Sequence, residues 1–182
     1  MIRKALNDDI DVIEQIYDSI HDREEKNIVT IGWIRGVYPT RKTAENALIR
    51  NDLFVIEEKE KIIGSAIINK IQVPEYKLVK WKHIANDDEV MVLHTLTIDP
   101  IYSGRGYGKK FVKFYEQYAL ERKCYELRID TNALNSRARK MYAELNYEEI
   151  DIIKCDFNGI PSIQLVCLEK YLNPNLEGKD YV

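Results

Sequence analysis

Apolar residues fall along this chain in short blocks whose period changes from two to about three and a half and back. Residues 1–5 read as a short strand. Asn7 then stands as the N-cap of a helix whose apolar positions are Ile10, Ile13, Ile16, Tyr17 and Ile20. An irregular aromatic segment at 33–39 precedes a second helical pattern at 40–50, opened by Thr40 or Thr43. Residues 53–57 and 61–69 predict a hairpin around the charged turn Glu58-Lys59-Glu60. A polar insert follows at 71–88, carrying Pro74, Trp81 and His83. Residues 90–98 are too continuously apolar for an edge strand and predict one buried on both faces.

The second half repeats the alternation. A helix over 107–122 sets Phe111, Phe114, Tyr115 and Tyr118 on one stripe, and a strand follows at 125–130. A helix over 136–145 aligns Ala138, Met141, Tyr142 and Leu145. Residues 147–156 and 162–170 flank Asn158-Gly159, a strong hairpin turn signal. Each helical stripe needs a sheet to cover it. A strand-helix-strand connection lying on a sheet face favours parallel pairing of its strands, here 90–98 with 125–130. Residues 1–172 are therefore expected to form one domain, with 173–182 a frayed tail.

Composition narrows the class. The chain has 182 residues, 45% of them hydrophobic and 31% charged, which suits a globular fold with one sizeable core. A net charge of only −3 argues against a long nucleic-acid footprint. Cys124, Cys155 and Cys167 are odd in number, widely spaced and form no CxxC pair, as expected of reduced core cysteines in a cytoplasmic protein. Met1-Ile2-Arg3-Lys4 leads into Asn7-Asp8-Asp9 rather than an apolar signal region, and no run approaches a membrane span. His21, His83 and His94 are scattered, with no carboxylates at metal-ligand spacing, so no metal is expected.

The richest stretch is 90–108. An apolar strand and a short loop with Gly104, Gly106 and Gly108 run directly into a helix N-terminus. A helix's first turn has unpaired N–H groups and the positive end of the macrodipole, and glycine lets backbone approach a phosphate closely. A P-loop is excluded, because Lys110 follows Gly108-Lys109 and Ser103 stands where its first glycine belongs. The dinucleotide fingerprint fails because its third glycine would fall at Lys109. Asp130, ending the next strand, keeps a dinucleotide site as a minor alternative.

Ser103-Gly104-Arg105-Gly106-Tyr107-Gly108 resembles the acyl-CoA pyrophosphate loop of the GNAT superfamily of N-acetyltransferases, with Ser103 where that family usually has Gln or Arg. Downstream, Asn135, Ala138, Met141-Tyr142 and Leu145 resemble the second GNAT signature, with Asn146-Tyr147 in place of Gly-Phe. Both replacements are mild, since Asn accepts a left-handed helix C-cap and Tyr keeps the ring. The two signatures span residues 90–150.

The resemblance implies an α/β fold with a mixed central sheet, in the order strand, two helices, three strands, helix, strand, helix, two strands. It implies acetyl-CoA as acyl donor, a small-molecule or peptide amine as acceptor, and direct attack in a ternary complex. Backbone amides of Arg105, Gly106, Tyr107, Gly108 and Lys109, beside Ser103 and Gly104, would hold the pyrophosphate. Leu96, Thr97 and Ile98 would pair with the pantetheine arm through their main chain. Asn135 is open to two roles, helix N-cap and pantetheine contact. Tyr142 is the matched proton donor to the leaving thiolate. Its ordinary pKa near 10 makes hydrogen-bond stabilisation of the sulfur more apt than full protonation. His94, sharing a strand face with Leu96 and Ile98, and Glu89, at the strand's start, are the candidate bases. A catalytically silent acyl-CoA sensor on the same fold is the competing reading. Residues 28–38, the insert and the last hairpin would wall the acceptor site, with Trp33, Arg35, Tyr38, Tyr76 and Trp81 available to shape it. The acceptor's identity and the oligomeric state, a homodimer included, stay open.

Overall fold

In the computed structural model, which describes residues 1–173, the blocks resolve into β1 (Ile2–Lys4), α1 (Ile10–Glu25), α2 (Arg41–Ile49), β2 (Leu53–Glu58) and β3 (Lys61–Asn69). They continue with β4 (Val90–Ile98), α3 (Tyr107–Glu121), β5 (Glu126–Asn132), α4 (Ser136–Glu144), β6 (Glu148–Phe157) and β7 (Ile160–Tyr171). The order of elements is the expected one. Apart from Asn173, the expected tail lies outside the described residues.

The strands form one sheet in the order β1-β2-β3-β4-β5-β7-β6. All neighbours are antiparallel except β4 and β5, the parallel pair that the connection through α3 demands. Their ladder runs from Val90↔Glu126 to Leu93↔Ile129 and stops, although β4 continues to Ile98 and β5 to Asn132. Past that point β5 stays paired with β7, Asp130 opposite Cys167, so the sheet opens between the carboxyl ends of β4 and β5. In α/β sheets such an opening is where ligands bind.

Helices α3 and α4 cover one face, burying Phe111, Val112, Tyr115 and Tyr142 against Phe54, Met91, Leu127 and Val166. The Tyr115 hydroxyl donates to the Met91 carbonyl at 2.6 Å and the Arg128 carbonyl at 3.2 Å, tying α3 to both strands of the parallel pair. The stripe expected on α3 is rotated slightly. Val112, Glu116 and Ala119 take buried positions while Phe114 and Tyr118 are half-buried, and the buried Glu116 carboxylate accepts from Lys170 Nζ at 2.8 Å. On the other face α1 and α2 pack Ile13, Tyr17, Ala44 and Ala47 against Val55 and Ile67.

The polar insert is not a loose excursion. It forms short 3-10 turns at Pro74–Leu78 and Asp87–Glu89 and lies across β4, β5 and β7, burying Tyr76 and Val79 against Val90, Val92 and Cys167. Alternate residues of β5, Glu126, Arg128 and Asp130, share one face. The Tyr76 hydroxyl donates to Asp130 Oδ2 at 2.8 Å, and the Trp81 ring meets the Arg128 guanidinium at 4.2 Å. His83 reaches Glu169 at 3.2 Å and Glu126 at 3.8 Å. The carboxylates that sequence spacing did not offer His83 are supplied by the fold. Among the described residues no helix is long and apolar enough to cross a membrane.

Candidate active site

The opening of the sheet begins with a bulge. Ser65 pairs with Thr97 and Ile67 with His94, so one extra residue of β4 is accommodated between them. Thr95 absorbs it at φ +49°, a left-handed conformation uncommon for a β-branched residue. Neither Thr95 nor Leu96 has a partner in the registers of β3 or β5. The bulge also breaks the alternation by which His94, Leu96 and Ile98 were expected to share a face. Two side-chain contacts fix it: Thr97 Oγ1 with Ser65 Oγ at 2.8 Å, and Thr95 Oγ1 with the Tyr38 hydroxyl.

Beyond β4, Asp99 Oδ1 accepts from the Ile101 amide at 3.0 Å and a 3-10 turn at Pro100–Tyr102 leads into the glycine loop. Gly106 is the N-cap of α3 at φ +82°, and no side chain caps the helix. Its first-turn N–H groups therefore lack a capping partner. A Cβ on Gly106 would meet nothing within 4 Å, so glycine is required there by φ alone. Gly108 packs closely on α4: a Cβ there would lie 2.9 Å from Met141 Sδ, which the flexible methionine could yield to. The two helices are further joined by Lys109 Nζ and Glu144 at 2.6 Å. Asn135 does cap α4, its Oδ1 accepting from the Ala138 amide at 3.1 Å.

These elements surround one cavity of about 990 Å³. Of the residues singled out for the donor, Leu96, Thr97, Ile98, Ser103, Gly104, Gly106, Tyr107, Gly108, Lys109 and Asn135 line it. Arg105 does not; its guanidinium lies 5.4 Å from the Tyr102 ring centre. His94 and Tyr142 line the cavity as well. Glu89 does not. It sits in the 3-10 turn before β4, at the far end of the strand from the opening, and its Oε2 accepts from the Asn86 amide and side chain at 3.0 and 2.8 Å.

On the opposite wall stand residues 28–33, Tyr38, and Phe157, Ile160 and Ile163 of the last hairpin. The Glu24 carboxylate holds the first of these segments by accepting from the Ile31 and Gly32 amides at 2.7 and 2.8 Å. Trp33 and Tyr38 shape the cavity, whereas Arg35 turns to Asp18 and Glu25, and Tyr76 and Trp81 pack on the sheet. Asp130, noted in the sequence only for the minor dinucleotide reading, also lines it, as do Arg137 and Lys140, which sequence reasoning did not single out. The signal for Arg137 and Lys140 was their place as basic residues in the first turns of α4, just after Asn135.

Burial tunes the ionisable groups. Desolvation lowers the His94 imidazole to about 4, well below its ordinary value, and His94 Nε2 donates to Asn69 Oδ1 at 3.1 Å. Desolvation raises Asp130 to about 6, partly offset by the hydrogen bond from Tyr76. Burial, and then the nearby Asp130 charge, push the Tyr142 phenol upward, so it stays protonated at neutral pH. No protein group among the described residues hydrogen-bonds to the Tyr142 hydroxyl, leaving it available to a ligand. The cavity thus offers an uncapped helix end for an anion, main chain for an extended arm, a phenol donor and a carboxyl that titrates near neutrality.

The family model for the acetyltransferase (GNAT) family matches residues 13–147. Among solved structures, a GNAT-family acetyltransferase from Streptococcus agalactiae superposes with a TM-score of 0.80 at 18% identity, over 95% of each chain. An N-acetyltransferase from Staphylococcus aureus gives 0.68 at 20% identity, over 95% of this chain and 98% of that one. A candidate acetyltransferase from Salmonella typhimurium, solved with its cofactor acetyl-CoA, gives 0.67 at 15% identity, over 99% and 98%. At these identities the structures establish the likeness of fold. By sequence, no curated protein matches the chain.

Proposed function

The chain belongs to the acetyltransferase (GNAT) family, and on that premise we propose that it transfers the acetyl group of acetyl-CoA to a primary amine by direct attack in a ternary complex. One observation carries the reading: the uncapped N-terminus of α3, the unpaired residues of β4 and the Tyr142 side chain all line a single cavity. The amides of the first turn of α3 bind the pyrophosphate, and Arg137 and Lys140 add positive charge beside it. Lys109, engaged by Glu144, contributes chiefly through its backbone. The pantetheine arm lies along the main chain of 96–98. The acceptor, a small molecule or peptide, enters beside residues 28–33, Tyr38 and the last hairpin.

The acceptor's nitrogen lone pair attacks the thioester carbonyl carbon, whose oxygen takes up the developing negative charge. Unpaired main chain at the bulge supplies the stabilising dipole. Collapse re-forms the C=O bond, breaks the C–S bond and expels coenzyme A as a thiolate. The Tyr142 hydroxyl donates a hydrogen bond to that sulfur. Its raised pKa makes it a stabilising donor rather than a strong acid. The proton lost by the amine needs a base. His94 at about 4 is too weak to compete for it, and Glu89 lies outside the cavity. Asp130, near 6 and lining the cavity, is the better matched acceptor, directly or through a water.

The reading is tested by following free thiol released from acetyl-CoA against a panel of small amines, polyamines and peptide α-amines. Acceptor-dependent release is expected. Saturable acetyl-CoA binding with no release on any member favours the silent sensor.

A further inference from the structure

The face of β5 turned toward the insert carries a cluster that acetyl transfer does not use. Glu126 begins β5 opposite Val90, at the other end of the parallel ladder from the cavity. It is 1% exposed, and among the described residues neither carboxylate oxygen has a hydrogen-bond partner. A buried carboxylate without partners is costly, and such exceptions call for a ligand or a compensating charge. Beside it lies Glu169 of β7, 2% exposed, whose two oxygens accept from the Lys82 amide at 3.1 and 3.2 Å. From the insert, His83 brings Nδ1 to 3.2 Å from Glu169 Oε1 and 3.8 Å from Glu126 Oε2.

We propose that His83, Glu126 and Glu169 hold a divalent transition-metal ion, with zinc the best match to the donor set. Imidazole nitrogen and carboxylate oxygen are both zinc ligands, at bond lengths of about 2.0–2.2 Å. In a tetrahedron of that size neighbouring ligand atoms are roughly 3.3–3.6 Å apart. The observed 3.2 and 3.8 Å bracket that edge, and all three donor atoms lie within 4.8 Å of one another. Calcium and magnesium, which require about six oxygens, fit this donor set poorly.

The surroundings suit an ion. The His83 ring stacks on Tyr171 with centroids 4.9 Å apart, which fixes its plane. The His83 side chain is 45% exposed, giving an entry path and room for a solvent ligand in the fourth position. Arg128 is the competing cation, but its Nε stands 3.6 Å from Glu126, beyond hydrogen-bond reach, while its guanidinium contacts Gln72 and the Trp81 ring. Bound there, the ion would fasten the insert to β5 and β7. The same insert positions Tyr76 on Asp130, so a remote metal would brace one wall of the cavity without touching the reacting atoms.

The test is calorimetric titration of the chelator-stripped protein with zinc chloride, alongside thermal melting. We expect one equivalent bound per chain, a saturable rise in Tm that chelator reverses, and no comparable effect of magnesium. Glu126→Gln and His83→Ala should each weaken zinc binding at least about 100-fold, more than the loss of a supporting group around a metal ligand. His83→Ala alters a half-exposed side chain and is expected to fold even should Glu126→Gln not. Absence of saturable zinc binding, or a stoichiometric site unaffected by a folded variant, overturns the proposal.

Discussion

Two buried tyrosines that look alike in the sequence should behave oppositely when each loses its hydroxyl. Tyr142 is 5% exposed, lines the cavity and has no protein partner for its oxygen among the described residues. Tyr142→Phe keeps the ring and its edge contact with Tyr147 at 5.9 Å, so stability should stay within about 1 kcal/mol of wild type. Loss of a transition-state hydrogen bond typically costs about 10²–10³ in kcat. Tyr115→Phe instead removes the donor shared by the Met91 and Arg128 carbonyls, leaving buried acceptors short at the parallel ladder. That should cost roughly 1–3 kcal/mol of stability. At about 2–4 °C per kcal/mol for a chain of this size, Tm falls by roughly 2–12 °C, with kcat close to wild type below the transition. Thiol-release kinetics and thermal melting on both variants decide the matter. An unchanged kcat in Tyr142→Phe, measured where chemistry limits the rate, refutes the assigned role, and a Tm loss confined to that variant would reverse the two assignments.

Gly106→Glu should abolish acetyl-CoA binding by calorimetry, because its carboxylate occupies the anion's place. Gly106→Ala, which meets no neighbouring atom and pays only for φ +82°, should cost about 1–2 kcal/mol of stability and keep affinity within a few-fold. For Asp130→Asn, kcat/KM with one fixed acceptor should lose the limb that rises through about pH 6 in wild type. Stability of that variant above pH 6 should match or exceed wild type. An acid raised from 3.8 to about 6 favours the folded state below 3.8, and that benefit is lost as pH rises through 6. His94 carries the opposite sign: lowered from 6.5 to about 4, it contributes fully above 6.5 and loses that contribution as pH falls toward 4. His94→Gln should therefore flatten the acid side of the stability profile by an amount on the order of 2–3 kcal/mol, read by denaturant melts at pH 7 and pH 4.5.

The order of elements was legible because every helix, and every strand but the three-residue β1, is long enough to show its own period, and the parallel pairing of β4 with β5 followed from the connection alone. The glycine loop was legible because Gly104 and Gly106 stand at φ +81° and +82°, a constraint that writes itself into residue identity. The bulge was not. Thr95 sits at φ +49° without a glycine to announce it, so the face shared by His94, Leu96 and Ile98 was read from an unbroken alternation. Glu89 is only five residues from His94 in sequence but precedes a nine-residue strand at the end away from the opening. Asp130 acquires its raised pKa from burial, with Tyr76, 54 residues away, supplying its hydrogen bond. His83 finds Glu169 across 86 residues. Such pairings come from sheet order and the path of the insert, which local patterns do not encode.

Direct transfer is the central claim, and a single-turnover experiment with protein in excess over acetyl-CoA tests it most directly. Protein, acetyl-CoA and an accepted amine would be mixed, quenched over time and resolved by mass spectrometry. The account predicts that the acetyl group passes from coenzyme A to the amine, with free coenzyme A and acetylated amine appearing at one rate and no acetyl group ever on the chain. An acetylated chain that forms before the product and decays into it would contradict that account.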